Sequence, residues 1–202
     1  MVTLVLRVWL PDRPGALGAV ATRVGAVRGD VVGIDIIESG AGRAVDDLIV
    51  LVPDEGVVDL LVAEVREVDG VDVEDVRVLD GPPDDPTVLA LELADELRSA
   101  GRDERFEVLA RGARRLLHAD WVAVVDDVGG VVLHSEGAEV PSAAWVVAFT
   151  RGMLTDGDPA ELEDLAAARV DGGPVLVASR HRAPFRGTER TVMTGLIRLV
   201  RD

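Results

Sequence analysis

The sequence predicts an α+β protein in two parts, each resting on an antiparallel sheet. Three observations lead there. Valine-rich stretches that alternate with period two are interleaved with stretches whose apolar residues recur every three or four positions. Short glycine-containing turns join the strand-like stretches in pairs. The run "LDGPPDDPT" at 79–87, which neither a helix nor a strand can continue, divides the chain.

In the first part, "TLVLRVW" (3–9) reads as a strand with Leu4, Leu6 and Val8 on one face, leaving Val5 and Trp9 on the other. "GALGAVATRVGAVR" (15–28) reads as a helix, because Leu17, Val20, Val24 and Val27 share a stripe. "VVGIDIIES" (31–39) and "AVDDLIVLV" (44–52) are strands joined at "GAGR" as a hairpin. "VVDLLVAEVREV" (57–68) is a second helix and "VDVEDVRVL" (71–79) a fourth strand. The order βαββαβ is that of the ferredoxin-like split unit, with both helices on one face of the sheet.

The second part opens with two helices, "TVLALELADELRSA" and "DERFEVLARGARRLLH". Strands follow at 120–126 and 130–136 around "DVGG", then a helix at 142–154. "LAAARV" and "PVLVASR" form a further hairpin around "DGG", and "GTERTVMTGLIRLVR" closes the chain as an amphipathic helix. The expected division is a first domain over 1–80, a linker and connecting helix over 81–102, and a second domain over 103–202.

Composition narrows the function. Of 202 residues 48% are hydrophobic but only 3% aromatic, so the cores must be aliphatic. The net charge of −16 is shared evenly, with 7 Arg against 15 Asp and Glu in residues 1–79 and 14 against 22 in the rest. Neither half therefore offers the net basic charge that nucleic acid or an anionic membrane requires. Cysteine is absent, which excludes disulfides, thiolate nucleophiles and cysteine zinc sites. The N-terminus lacks a basic segment followed by a long apolar run, and no stretch is long enough to span a bilayer. A cytoplasmic protein without cofactor or metal is expected.

Several polar groups invite a functional reading and are assigned structural roles. "GAGRAV" (40–45) lacks the third glycine of a dinucleotide fingerprint and links two strands, so it reads as a turn. His118, His134 and His181 are scattered, with no pair at metal-ligand spacing. Asp46–Asp47 and Asp126–Asp127 fall on adjacent strand positions that point to opposite faces, so they read as solvated charge. Arg98, Arg102, Arg105, Arg111, Arg114 and Arg115 read as a solvated helix face, with a dimer seam or an anion site as alternatives. Trp145 and Phe149, four apart, belong to a core or an interface. No nucleophile–base pair is visible, so an enzyme is not expected.

The stretch "DRPGALGAV" (12–20), between the first strand and the first helix, resembles the Asp/Asn-x-Pro-Gly-x-Leu signature of the ACT domain. "GDVVGIDIIE" is similar to the opening of that family's second strand, most of all in ACT domains attached to malic-type enzymes. "AAARVDGGPVLVASRHRAPFRGTERTVMTGLIRLV" resembles the closing hairpin, Pro-Phe turn and final helix of GAF domains. The ACT resemblance implies a regulatory module that binds an amino acid, often between two paired domains. It places the ligand against Asp12, Arg13, Pro14, Gly15, Ala16 and Leu17, facing the start of the second strand at Asp30, Val31 and Val32. The chemistry agrees. A helix N-terminus offers unpaired N–H groups and partial positive charge to a carboxylate, and Asp12 suits an ammonium. Where many amino-acid-binding members place Asn, this chain has Asp30, which suits an ammonium but repels a carboxylate. The expected function is a ligand sensor, with the second half serving signalling or dimerisation. The alternative is an interaction module that binds no ligand and docks on an enzyme or regulator. A homodimer is expected, because the sheet face bearing Val5 and Trp9 needs a cover.

Overall fold

The first strand organises the N-terminal unit. β1 (Val2–Pro11) lies between β3 (Arg43–Val52) and β4 (Asp72–Leu79), with β2 (Asp30–Gly40) outside β3. The sheet order is β2-β3-β1-β4, antiparallel throughout. This is a computed structural model, describing residues 1–79, 81, 84–155, 164–170 and 172–200. Parts of the 79–87 break and the last two residues lie outside these.

Register follows the apolar alternation. Leu6 sits opposite Leu48 and Leu4 opposite Val50, so the even positions of both strands share a face. α1 (Ala16–Ala26) and α2 (Val58–Arg66) cover that face. Val20, Val24, Leu61 and Val65 complete an aliphatic core with Leu4, Leu6, Val8, Leu10, Leu48, Val50 and Val52. Each such side chain contributes about 1.5–3 kcal/mol by leaving water. A 3-10 turn over Glu55–Val57, capped by the Asp54 carboxylate on the Gly56 N–H, leads into α2. α2 is thus shorter at both ends than the period-3.6 stretch at 57–68.

The opposite sheet face differs from expectation. Val5 is buried opposite Ile49, and buried charge shares the face with these apolar residues. Arg7, only 3% exposed, donates from Nε and Nη2 to the two oxygens of Asp47 at 2.7 and 2.8 Å. Arg77 lies 3.6 Å from Asp47 and 3.5 Å from Asp75. Trp9 donates its indole N–H to Glu74 at 3.1 Å and carries the Arg43 guanidinium 4.8 Å above its ring. Long polar side chains lying along the sheet hide β1 without an apolar partner.

The chain divides into two compact units, Met1–Pro83 and Asp84–Asp202. In the second, β5 (Trp121–Asp126), β6 (Val131–Gly137), β7 (Leu165–Arg169) and β8 (Val175–Ser179) form an antiparallel sheet ordered β6-β5-β8-β7. Both faces are covered, which explains the unbroken apolar runs of β5 and β8. Val122, Val124, Leu176 and Ala178 face α3 (Pro86–Ser99), α4 (Arg105–Leu116) and α6 (Gly187–Arg198). Trp121, Ala123, Val125, Val175 and Val177 face α5 (Ala143–Thr155). α3 starts at a proline behind Asp85, whose carboxylate accepts from the N–H groups of Thr87 and Val88 at 2.7 and 3.2 Å. Leu93 and Leu97, in the stretch read as linker and connecting helix, belong to the second unit's core. Gly112 lets α4 approach α3, since a Cβ there would collide with the Leu93 side chain. Arg180, 3% exposed, donates to the carbonyls of Leu117, Ala183 and Pro184 and to both oxygens of Glu189. It thereby ties α4, the post-β8 turn and α6 together.

Candidate functional site

The loop after β1 is held by its own backbone. Asp12 donates its N–H to the Gly42 carbonyl at 2.9 Å, fixing the loop to the β2–β3 turn, and Arg13 N–H bonds the Pro11 carbonyl at 2.8 Å. Gly15 caps α1 in a left-handed conformation with φ 88°, a region that costs other residues strain. It is therefore a cap and not the first residue of the helix. Ala16 N–H is already taken by the Arg13 carbonyl at 3.3 Å. Gly15, Leu17 and Gly18 remain as the donors that the helix itself does not use.

Beside this loop lies a cavity of about 210 Å³. Leu10 and Pro11 of β1, Asp12 and Arg13 of the loop, Ala16 and Leu17 of α1, Ile36 and Ser39 of β2, and Ala44 and Asp46 of β3 line it. Pockets for drug-sized ligands run about 300–1,000 Å³, so this one suits a metabolite of few heavy atoms. Four of the expected site residues thus share one cavity: Asp12, Arg13, Ala16 and Leu17. Pro14 and Gly15 shape the loop without lining the cavity.

Asp30 and Val31 are elsewhere within one chain. Asp30 pairs with Leu51, which pairs with Thr3, whereas the loop follows Pro11. At about 3.3 Å per strand residue the two ends of β1 concerned are about 26 Å apart. A single protomer cannot bring Asp30 and the Pro-Gly loop to one small ligand.

Asp46 is the group that the sequence reading assigned wrongly. Neither aspartate of the pair is solvated: Asp46 is 6% and Asp47 7% exposed. They do point to opposite faces. Asp47 meets Arg7, while Asp46 pairs with Val8 on the helix-covered side. Oδ1 of Asp46 is fully buried with no hydrogen-bond partner among the described residues. Burial, and then the neighbouring Asp47 carboxylate, push its carboxyl above the ordinary value. A usable signal existed in the sequence: an acidic pair inside the apolar strand "AVDDLIVLV" needs a reason for each carboxylate.

The other polar clusters are structural or superficial. Arg98, Arg111 and Arg115 make exposed ion pairs with Asp95, Glu96 and Glu107, and Asp84. Arg105 and Arg114 are more than a solvated face, since they donate to the carbonyls of Val200 and Asp120. His181 sits on Asp120 with Nδ1 at 2.9 Å, which raises the imidazole pKa. Trp145 stacks on Phe149 at 5.2 Å, with Phe149 packed against the α5 core. Among the described residues no group of three or more His, Asp or Glu has metal-binding geometry, and no helix is long and apolar enough to cross a membrane.

Comparison with known proteins bears on the first unit. The ACT-domain family profile matches residues 4–70. The ACT domain from GTP pyrophosphokinase of Chlorobium tepidum is 19% identical over 39% of this chain and 100% of that one, with a TM-score of 0.31. A formyltetrahydrofolate deformylase from Pseudomonas putida KT2440 is 17% identical over 48% of this chain and 38% of that one, at 0.33. An unknown protein from Galdieria sulphuraria is 12% identical over 98% of this chain and 91% of that one, at 0.35. No curated protein matches. The family profile, the βαββαβ order and the Pro-Gly loop agree with one another. Residues 4–70 are an ACT domain, in general a regulatory module that binds a small ligand.

Proposed function

We propose that the chain is a sensor and not an enzyme, and that its ACT domain takes up a small amino acid at the Asp12–Leu17 loop. The carrying observation is the 210 Å³ cavity, lined both by the first turn of α1 at Ala16 and Leu17 and by the buried Asp46. The ligand carboxylate goes to the N–H of Leu17, while Ala16, whose N–H is used, offers only its methyl. The second unit, read as GAF-like, serves signalling or dimerisation.

A homodimer fits this reading through β2 and not through the charged sheet face. β2 is an edge strand, and Ile34 and Ile36 continue the helix-covered face beyond α1 while remaining 43% and 68% exposed. Exposed apolar edges are natural pairing sites. Antiparallel pairing of two β2 edges sets the start of one against the end of the other. The second copy's Asp30 and Val31 would then approach the cavity that their own chain keeps distant.

Thermal unfolding of the full chain with each of the twenty amino acids at millimolar concentration tests the proposal. A ligand at 100 times its Kd adds about 2.7 kcal/mol to the unit that binds it. One amino acid, or a few related ones, should raise the midpoint clearly. A flat panel would reject amino-acid sensing and favour the docking-module alternative.

A further inference from the structure

We infer that Asp46 selects the ligand: its carboxylate, at the inner wall of the loop cavity, receives a primary ammonium group. This rests on the amino-acid reading above and adds the residue and the group that it recognises.

The argument begins with an imbalance. On the helix-covered face of β3, Asp46 is followed by Leu48, Val50 and Val52, all fully buried. An aliphatic residue at 46 would continue the row. A carboxylate there loses water, and one of its oxygens gains no protein partner in exchange. The neighbouring cations do not supply one. Arg7 and Arg77 lie on the other sheet face around Asp47. Arg13, on the cavity rim, reaches the carbonyl and carboxylate of Asp69. Oδ1 itself is closed to the cavity, so an occupant meets the carboxylate through the part of Asp46 that lines the wall and compensates the charge from there.

The remaining walls define what accompanies that charge. Leu10, Ala16, Leu17 and Ile36 are aliphatic, and no aromatic side chain lines the cavity. The chemical class is a primary ammonium beside a compact aliphatic group, as in alanine, valine or leucine. In such a ligand the ammonium faces Asp46 and the carboxylate faces the first turn of α1, whose partial positive charge suits it. Asp12, at the exposed rim, is then not the main ammonium acceptor.

Three matched probe sets test this on the full chain by calorimetry. Each set contains an amino acid (L-alanine, L-valine or L-leucine), its decarboxylated amine and its deaminated acid. In wild type, at least one amino acid and its amine should bind, and the matching acid should not. Asp46→Asn should weaken the amine-bearing probes at least tenfold and leave the acid unchanged. Asp46→Ser serves as a second variant, with circular dichroism confirming the fold of each, and the wild-type series can still overturn the inference if both variants misfold. Acids that bind as well as amino acids, an unchanged affinity in folded Asp46→Asn, or no binding by any amine-bearing probe would each overturn the inference. Amino-acid binding indifferent to Asp46 would sink this inference alone. Amine binding through Asp46 without any amino-acid binding would sink the amino-acid reading instead.

Discussion

Asp46 and Asp47 are neighbours carrying the same group, yet the same substitution should move stability in opposite directions. Asp47→Asn removes the anion that Arg7 holds through two bonds of 2.7 and 2.8 Å and that Arg77 approaches at 3.6 Å. The sheet face then holds two guanidinium groups against the Asp75 carboxylate. Breaking a buried pair from one side costs about 3–5 kcal/mol. For a unit of this size, each kcal/mol lowers the midpoint by about 4–8 °C, so a loss of about 12–40 °C is expected. Asp46→Asn removes no ion pair. The Asp46 carboxyl titrates above its unfolded value of 3.8. Between that pH and its own raised pKa the folded state holds the proton more tightly than the unfolded state. Stability therefore falls as pH rises through this window, and the deficit persists at neutral pH. Asparagine carries no charge and removes the slope. The variant should be at least as stable as wild type at pH 7, with the advantage shrinking toward pH 4. Urea unfolding of wild type and both variants across this range, followed by tryptophan fluorescence, measures both effects. Equal losses in both variants would refute the reasoning. So would a cost below about 1 kcal/mol for Asp47→Asn, the range of an exposed pair.

Three further outcomes are expected. Gly15→Ala should cost about 1–2 kcal/mol from the left-handed backbone alone, since its Cβ would meet nothing within 4 Å; a neutral result in urea unfolding would show that φ 88° is not retained. Arg180→Met should cost about 3–5 kcal/mol, because it removes both guanidinium bonds from the Glu189 carboxylate and vacates three carbonyls; a loss under about 1 kcal/mol by calorimetry would contradict that. Expressed separately, residues 1–83 and 84–202 should each unfold cooperatively, whereas 100–202, lacking Leu93 and Leu97, should not; equal stability of the two C-terminal fragments would remove α3 from the core.

What the sequence made legible was what local periodicity carries. Leu4, Leu6 and Val8 alternate against Leu48 and Val50, and Val20, Val24 and Val27 stripe a helix, so the βαββαβ order could be read directly. The charged sheet face could not. Arg7 and Asp47 are 40 residues apart and meet only through strand register, so Val5 and Trp9 alone suggested an apolar surface. The hidden carboxylate was missed for a related reason: alternation put Asp46 and Asp47 on different faces, but not which face was covered. At Gly15, a glycine followed by a helical stripe fits either the first helical residue or a left-handed cap. The local pattern does not separate them, and in the left-handed cap any side chain at position 15 is strained.

The most direct test of the central claim is a chemical-shift map of the isotopically labelled full chain, titrated with the amino acid that stabilises it most. The account predicts saturable shifts at the amides of Asp12, Gly15, Leu17, Ser39 and Asp46, with Asp30 and Val31 joining them if two copies pair along β2. Shifts confined to residues 84–202, or no saturable shift at the loop with any amino acid, would contradict it.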